Sequence, residues 1–121
     1  MEDGRPLFVQ IAEQVEASVL DGSLAEGERA PSTNELAAFH RINPATAAKG
    51  INLLVDREIL VKRRGLGMFV AEGAQETLRA ERRRRFADHY LTPLLAEARH
   101  IGLTAETVIE LLRERAQQTP K

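Results

Sequence analysis

The chain has 121 residues, with 17 lysines and arginines against 18 aspartates and glutamates, and a formal net charge of −1 at pH 7. Hydrophobic residues make up 43% and charged residues 29% of the sequence, which predicts a folded, soluble chain rather than a disordered one. Cysteine is absent, which excludes disulfides and thiolate chemistry, and no apolar run approaches the ~20 residues of a transmembrane helix. The chain starts with acidic and mixed residues, unlike a signal peptide, so we expect a cytoplasmic protein without a membrane partner.

The first predicted element is an amphipathic helix from Leu7 to Leu20. Apolar residues recur with helical spacing between Phe8 and Val19, and polar residues lie between them. Asp21-Gly22 should end this helix, because glycine readily takes the left-handed conformation found just beyond helix C-termini.

Two further helix starts lie close together. Ser32 stands three residues before Glu35 and predicts a capping box, in which each side chain accepts a hydrogen bond from the backbone of the other residue. Asn43 before Pro44 predicts an N-cap followed by proline at the first helical position. Two short helices joined by a tight turn form a helix-turn-helix, whose second helix enters the major groove of DNA.

The second helix is predicted from Ser32 to Phe39, with Phe39 packing inward, and the third from Pro44 to Arg57. Small and polar residues face away from the apolar side of the third helix, which would let it seat deeply in a groove. Its predicted buried stripe is Ala47, Ile51, Leu54 and Val55.

The stretch Leu60–Val70 predicts two short strands around a basic, glycine-bearing tip. Gly65 and Gly67 permit a tight turn, and Arg63 and Arg64 can bind phosphate or enter a minor groove. A hairpin behind a helix-turn-helix is a β-wing. We therefore interpret the region as a winged helix rather than as an unrelated helical bundle with one hairpin.

Contacts to double-stranded DNA are predicted for the start of the second helix, the turn, the exposed face of the third helix and the wing tip. From Met1 to Val70 the chain carries eight lysines and arginines against ten acidic residues, so this interpretation depends on where the charge lies. The candidate DNA-binding residues are Ser32, Thr33, Asn34, Arg41, Asn43, Pro44, Ala45, Thr46, Lys49, Arg63, Arg64, Gly65 and Gly67.

A helical tail should follow a brief linker, Ala71–Gln75. Residues Thr77–Ile101 are predicted to be helical, with a kink or break near Leu91 or Thr92 caused by Pro93. Apolar residues spaced four, three, four and three positions apart form a heptad seam, which predicts pairing with the final helix, with a second chain, or with both. The candidate dimerisation residues are Phe86, Ala87, Tyr90, Leu91, Leu94, Leu95, Ala98 and Ile101.

Four consecutive arginines, Arg82 to Arg85, precede this seam. Successive helical residues turn by ~100°, so the four point all around the helix axis. Two interpretations stay open: a solvated helix with Glu81 and Asp88 as partners, or a contact to flanking DNA phosphates. Gly102 should end this helix, and Thr104 should cap a last one.

No catalytic or metal-binding constellation is predicted. No serine lies in a nucleophile elbow, and the sequence has neither a phosphate loop nor zinc-ligand spacing. His89 and His100 would lie ~16 Å apart along a helix, too far to chelate one ion within a chain. We therefore expect neither an enzyme nor a bound cofactor.

An ordered series of short motifs resembles a known family. From about Pro6 to Val70 the chain resembles the GntR-type DNA-binding domain, and the short remainder resembles the YtrA-type branch, which has two helices in place of a large effector domain. The motifs are Pro6-Leu7-Phe8, Gln10-Ile11-Ala12, Gly22-Ser23-Leu24, Gly27-Glu28, Pro31-Ser32, Glu35-Leu36-Ala37, Asn43 with Thr46, and Arg63 to Val70.

The expected architecture is mainly α. Residues 1–72 would form an N-terminal winged helix-turn-helix with three helices and a β-hairpin wing, and residues 73–121 a short helical dimerisation tail. The resemblance implies a homodimeric transcriptional regulator that binds a palindromic operator, with repression as the favoured outcome. Asn34, Pro44 and Ala48 stand where arginine is common in the family, so some guanine and phosphate contacts are lost.

Two alternatives stay open. Net acidity favours a winged-helix protein-interaction module that has lost DNA binding. The tail could instead hold a pocket for an unidentified small-molecule effector near Tyr90 and His100, which would make the chain a small-molecule-sensing repressor.

Overall fold

The computed structural model describes residues 4–118 and divides the chain into two compact units, one up to Ala80 and one from Glu81 onward. The predicted boundary was placed after Glu72, and residues 1–3 and 119–121 of the predicted domains lie outside the described residues. The boundary between the two units in the structure falls later, because Ala74 and Leu78 bury their side chains in the core of the first unit.

Three helices make up most of the first unit. They are α1 (Leu7–Leu20), α2 (Thr33–His40) and α3 (Pro44–Asp56). The bounds of α1 are those predicted, and Gly22 beyond its end has a φ of 84°, in the left-handed region. The predicted caps of α2 and α3 are also confirmed, with Ser32 and Asn43 as the N-cap residues.

A two-stranded antiparallel sheet follows, formed by β1 (Leu60–Arg63) and β2 (Gly67–Val70). Its register pairs Leu60 with Val70 and Arg63 with Gly67, which confirms the predicted hairpin. The segment before α2 also contacts β2, because the Ala30 N–H donates to the Met68 carbonyl (2.8 Å) and Arg29 forms an isolated antiparallel bridge with Phe69.

The core of the first unit lies between α1 and α3. Gly50 permits their close approach, since a Cβ at that position would come within 2.8 Å of the Phe8 carbonyl oxygen and 3.3 Å of the Ile11 side chain. The buried carboxylate of Glu16 is paired with Arg57, whose Nη1 lies 2.8 Å from Oε1. The buried cluster comprises Ile11, Ala12, Val15, Val19, Ala30, Leu36, Ala37, Ala47, Ile51, Leu54, Ile59, Leu60, Val70, Ala74 and Leu78.

Phe39 does not pack inward, so that prediction was wrong. Its side chain is 82% exposed, and its ring meets the edge of the His40 ring, with the ring centres 4.9 Å apart. The inward side of α2 runs through Leu36 and Ala37, and at ~100° per residue Phe39 lies to one side of it. Val55 of the predicted α3 stripe is half-buried, whereas its other three residues are buried.

Helix α4 (Ala74–Phe86) begins inside the predicted linker. The Glu26 carboxylate fixes this start by accepting hydrogen bonds from the backbone N–H groups of Gly73 (2.9 Å) and Gln75 (3.2 Å). The Gln75 side-chain amide in turn donates to the Leu20 carbonyl at the end of α1 (3.0 Å). Two contacts distant in sequence therefore make helix out of residues that were predicted to be linker.

The second unit continues α4 through a π-helical turn, Ala87–Leu91, into α5 (Thr92–His100), and ends with α6 (Ala105–Gln118). Pro93 lies in the first turn of α5, so the predicted interruption near Leu91 is confirmed. Gly102 follows α5 with a φ of 77°, and the Thr104 hydroxyl accepts from the Thr107 N–H (3.2 Å) at the start of α6. Within residues 4–118, no helix combines the length and the apolar character needed to cross a bilayer.

Candidate nucleic-acid interface

The start of α2 is held by the capping box that the sequence predicted. The Ser32 hydroxyl accepts from the Glu35 N–H (3.0 Å), and the Ser32 N–H donates to Glu35 Oε1 (2.9 Å). The Ser32 backbone N–H, then the Ser32 hydroxyl and the nearby charge of Arg29, lower the pKa of Glu35 below its ordinary value. Ser32 is thus occupied with the cap, Thr33 is half-buried, and Asn34 projects into solvent.

The turn between α2 and α3 places Arg41 in an unusual backbone conformation. Its φ of 55° and ψ of 50° are left-handed values that favour glycine, and its side chain is exposed. Asn43 Oδ1 accepts from the Ala45 N–H (2.8 Å), which leaves the amide NH2 group of Asn43 to donate elsewhere. Pro44 and Ala45 are exposed in the first turn of α3 and present little bulk to a groove.

Lys49 and Thr46 lie on the side of α3 turned away from Ile51 and Leu54. Thr46 is half-buried, while Lys49 is exposed. The ammonium of Lys49 lies 4.3 Å from the centre of the Phe8 ring, a cation–π contact that links α3 to the start of α1. A shallow cleft of about 430 Å³ lies here, lined by Phe8, Ala45, Ala48, Lys49, Asn52, Leu53 and Asp56.

The wing tip carries the two predicted arginines. The Arg63 guanidinium lies 4.7 Å from the Phe69 ring centre, which holds it over the hairpin, and Arg64 is exposed at the turn. The turn closes with the Leu66 N–H donating to the Arg63 carbonyl (2.9 Å). Gly65 and Gly67 adopt φ values of 76° and 118°, and residues other than glycine take such positive values only with backbone strain.

Arg29 lies between the wing and α2 and is not among the site residues predicted from the sequence. Its Nε donates to the Leu66 carbonyl (3.3 Å), and its Nη1 lies 3.8 Å from Glu35 Oε1. No local pattern marks this residue, because both partners are distant in sequence or belong to another element. Phe8 begins the apolar spacing predicted for α1, and its ring also contacts the Lys49 ammonium.

In the second unit, most of the predicted dimerisation residues are uncovered. Phe86, Tyr90, Leu91, Leu95 and Ile101 are exposed. Ala87 and Leu94 are half-buried, and Ala98 is already buried within the chain. Ala87, Tyr90 and Leu91 lie in the π-helical turn itself, whereas Leu94 and Ala98 lie in α5, so the heptad spacing does not continue as one regular α-helical stripe.

An apolar cleft of about 340 Å³ runs between α5 and α6. Tyr90 and His100, the residues predicted to mark an effector pocket, do not line it. Its lining residues are Leu94, Glu97, Ala98, Ile101, Leu103, Val108, Leu111, Leu112 and Arg115.

The charges of the two units differ in sign. Up to Ala80 the chain carries nine basic and twelve acidic residues, and from Glu81 onward eight basic and six acidic residues. Arg82 to Arg85 supply half of the tail's positive charge, and all four are exposed.

Comparisons with known proteins agree with this architecture. The family model described as "Bacterial regulatory proteins, gntR family" matches residues 7–70. The HTH-type transcriptional repressor YtrA of Bacillus subtilis (strain 168) is 30% identical over 109 residues, which are 90% of this chain and 83% of that repressor.

Two solved structures extend the comparison. The fold is similar to that of a GntR family transcriptional regulator from Listeria monocytogenes, with a TM-score of 0.75, 22% identity, and coverage of 94% of this chain and 98% of that one. AraR(DBD) in complex with operator ORX1 is 28% identical, with a TM-score of 0.55, and the match covers 59% of this chain and 86% of that one.

Proposed function

The chain belongs to the gntR family of bacterial regulatory proteins, and we propose that it is a transcriptional repressor that binds a palindromic operator as a homodimer. The observation that carries this proposal is a pair of capped helices, α2 and α3, followed directly by a basic wing. Repression is proposed by similarity to YtrA, and operator binding by similarity to the AraR(DBD) complex.

The proposed DNA surface combines two kinds of contact. Small residues at the start of α3 let the helix approach the major groove, where the Asn43 amide and Lys49 can donate to base edges or phosphates. At the wing, Arg63 and Arg64 would bind phosphates or enter the minor groove. Because the unit is acidic overall, binding depends on this local placement of positive charge, and a second copy would double it.

The proposed dimer is supported by the apolar surface of the tail. Leu91, Leu95 and Ile101 are exposed beside an apolar cleft, and the last helix of the same chain leaves them uncovered. We assign a second copy of the tail as their cover, because a helical unit of this size rarely buries enough surface by itself. Two-fold pairing would present two recognition helices to half-sites one DNA turn, ~34 Å, apart or at a multiple of it.

The experiment is selection of an operator from genomic DNA, followed by affinity measurement for Thr46→Ala and Lys49→Ala. Each variant should bind the selected operator more weakly by about 1–3 kcal/mol, while its unfolding temperature stays within the range of the parent. Arg113→Ala on α6, an exposed site outside the proposed surface, is the control and should bind as the parent does. Parent-like affinity in both α3 variants would remove this face of α3 from the interface.

The net negative charge leaves one alternative function open, a protein-interaction module without DNA binding. If the parent shows no salt-dependent affinity for any duplex, this alternative replaces the repressor. We propose the cytoplasm as the location, because a repressor must reach the bacterial chromosome, and we assign no effector.

A further inference from the structure

Arg29 contacts two separate parts of the proposed DNA surface at once. Its side chain lies between the turn of the wing and the first turn of α2, and about half of it is exposed. Those two parts approach each other only in the folded unit, since β1 and β2 follow α2 and α3 in the chain.

Three observations fix the side chain there. The backbone of Arg29 bridges Phe69 on β2, which aims the side chain along the hairpin toward its tip. Nε then donates to the Leu66 carbonyl (3.3 Å). Nη1 of the same planar guanidinium faces Glu35 Oε1 at 3.8 Å, and that carboxylate is itself held by the Ser32 N–H.

Gly67 completes this arrangement. A Cβ on Gly67 would lie 3.0 Å from Arg29 Nε and 3.7 Å from its Nη2, so the guanidinium occupies the space that a side chain would need. The φ of 118° at Gly67 disfavours other residues as well. Arg29 and Gly67 are therefore matched in shape as well as in position.

We propose that Arg29 is a positioning residue that fixes the wing tip against the start of α2, so that Arg64 and Asn34 meet one duplex at a set spacing. The inference rests on the proposed DNA-binding function. A two-stranded hairpin is only marginally stable by itself, so its tip gains orientation mainly from neighbours. A wing that is already ordered loses less conformational freedom when it binds, and the complex is tighter for that reason.

Stability of the fold is a weaker reason for this geometry. The Arg29–Glu35 pair is exposed on both sides, and exposed pairs of this length contribute little to folding. A direct phosphate contact by Arg29 is the competing role. The two roles differ in what the charge does, and this difference can be measured.

The test compares Arg29→Lys, which keeps the charge but lacks the Nε–H and the planar fork, with Arg29→Gln, which loses both. Arg79→Gln is the matched control, because Arg79 is similarly exposed and lies 3.9 Å from Glu76, a partner on its own helix, α4. Affinities are measured for the selected operator and for a scrambled duplex of equal length, over a range of salt concentrations.

If Arg29 positions the wing, Lys and Gln variants should lose operator affinity alike, by about two- to tenfold. Affinity for the scrambled duplex and the slope of log affinity against log salt should stay as in the parent. A different result would show that Arg29 contacts phosphate and that the proposal is wrong. In that case Arg29→Lys would bind as the parent does, and the slope of log affinity against log salt for Arg29→Gln would be shallower by about 0.9.

Hydrogen exchange in the free protein provides the second readout. Amides at residues 64–67 should exchange several-fold faster in both Arg29 variants than in the parent and in Arg79→Gln, while α1 amides stay protected. Unchanged exchange at the wing tip would overturn the proposal. Because this measurement needs no DNA, its outcome is independent of the proposed function. If the parent bound no duplex, the repressor proposal would be rejected, but the exchange result would still show whether Arg29 orders the wing tip.

Discussion

The two units of the chain differ in how far their apolar side chains are buried. The winged-helix unit gathers its buried residues into one cluster between α1, α2, α3 and the hairpin. In the described part of the tail, Ala98 and Val108 are the buried hydrophobic residues, whereas Tyr90, Leu95 and Ile101 stay exposed. We therefore expect the first unit to complete its core by itself, and the second unit to cover its apolar residues with a partner.

The net charges of the two units are the reverse of what DNA binding by the first unit would suggest. The unit assigned to DNA is acidic overall, and the tail carries the excess of basic residues. Net charge by unit is therefore a poor guide to the partner, and the local arrangement of side chains around α3 and the wing is the better one. The following four predictions test the comparison, from the largest expected effect to the smallest.

Changing Leu91 and Leu94 together to glutamate should convert dimers into monomers, because the two carboxylates would have to be buried in the proposed interface. Operator affinity should fall on the order of 10²-fold, since one recognition helix then binds without its linked partner. Sedimentation at micromolar concentration gives the mass, and fluorescence anisotropy gives the affinity. Ala96→Glu with His100→Glu adds two carboxylates to exposed positions on the other side of α5 and should stay dimeric.

A monomeric parent would contradict the comparison directly. It would mean that the tail's exposed apolar residues have some other cover than a second copy.

Gly50→Ala should destabilise the winged-helix unit by about 1–2 kcal/mol. Alanine is favoured over glycine in a helix by about 1 kcal/mol, but its Cβ would press on the Phe8 carbonyl from 2.8 Å and force α1 away from α3. Urea unfolding followed by circular dichroism measures the change. Asn52→Ala, exposed on the same helix, should be neutral or slightly stabilising, and a stabilised Gly50→Ala variant would show that the α1–α3 contact has room to spare.

Changing Arg63 and Arg64 to alanine should lower affinity for specific and scrambled duplexes alike, by roughly tenfold at moderate salt. Fewer counterions are released, so the slope of log affinity against log salt should become shallower by about 0.9 per lost phosphate contact. The same measurement on Arg83→Ala with Arg84→Ala compares the two basic clusters. We expect that slope to match the parent, as for a solvated helix; a shallower slope would extend the DNA surface onto α4.

Arg41→Gly should raise the free energy of unfolding by about 1 kcal/mol, because glycine adopts the φ of 55° without strain. It should also weaken operator binding, if a strained arginine is retained here for its contact with DNA. Glu58→Gly is the matched control, with a φ of 62° at the end of α3. That variant should gain stability and keep the parent's affinity; a parallel loss of affinity would point to altered backbone rigidity instead.

The sequence predicted the elements whose signals are local. The bounds of α1 follow from its apolar spacing and Gly22, and the starts of α2 and α3 follow from Ser32 and Asn43. The hairpin was predicted because its glycines and arginines stand together in the chain. Each of these structures is decided by residues within a few positions of one another.

What the sequence did not predict depends on tertiary contacts. Phe39 has the right residue type for a core, but its position on α2 lies to one side of Leu36 and Ala37, which face the core. The early start of α4 requires the Glu26 carboxylate, and the position of the wing tip involves Arg29. Such pairings carry no period that a single sequence reveals. The DNA-binding and dimerisation residues stay predictions for the same reason, because their partners are other molecules.

The π-helical turn at Ala87–Leu91 also bears on how this tail can evolve. A hydrogen bond spanning five residues encloses one more residue than the α-helical bond, so the turn absorbs a single extra position without breaking the helix. Removing one residue there would restore a continuous α-helix and leave everything after it facing nearly the same way relative to α4, whereas an unabsorbed deletion elsewhere in the helix would rotate it by ~100°. Natural relatives with and without this extra residue would then present the same side of α5. A single-codon length change in this segment is thus an evolutionary step that would keep the proposed pairing surface.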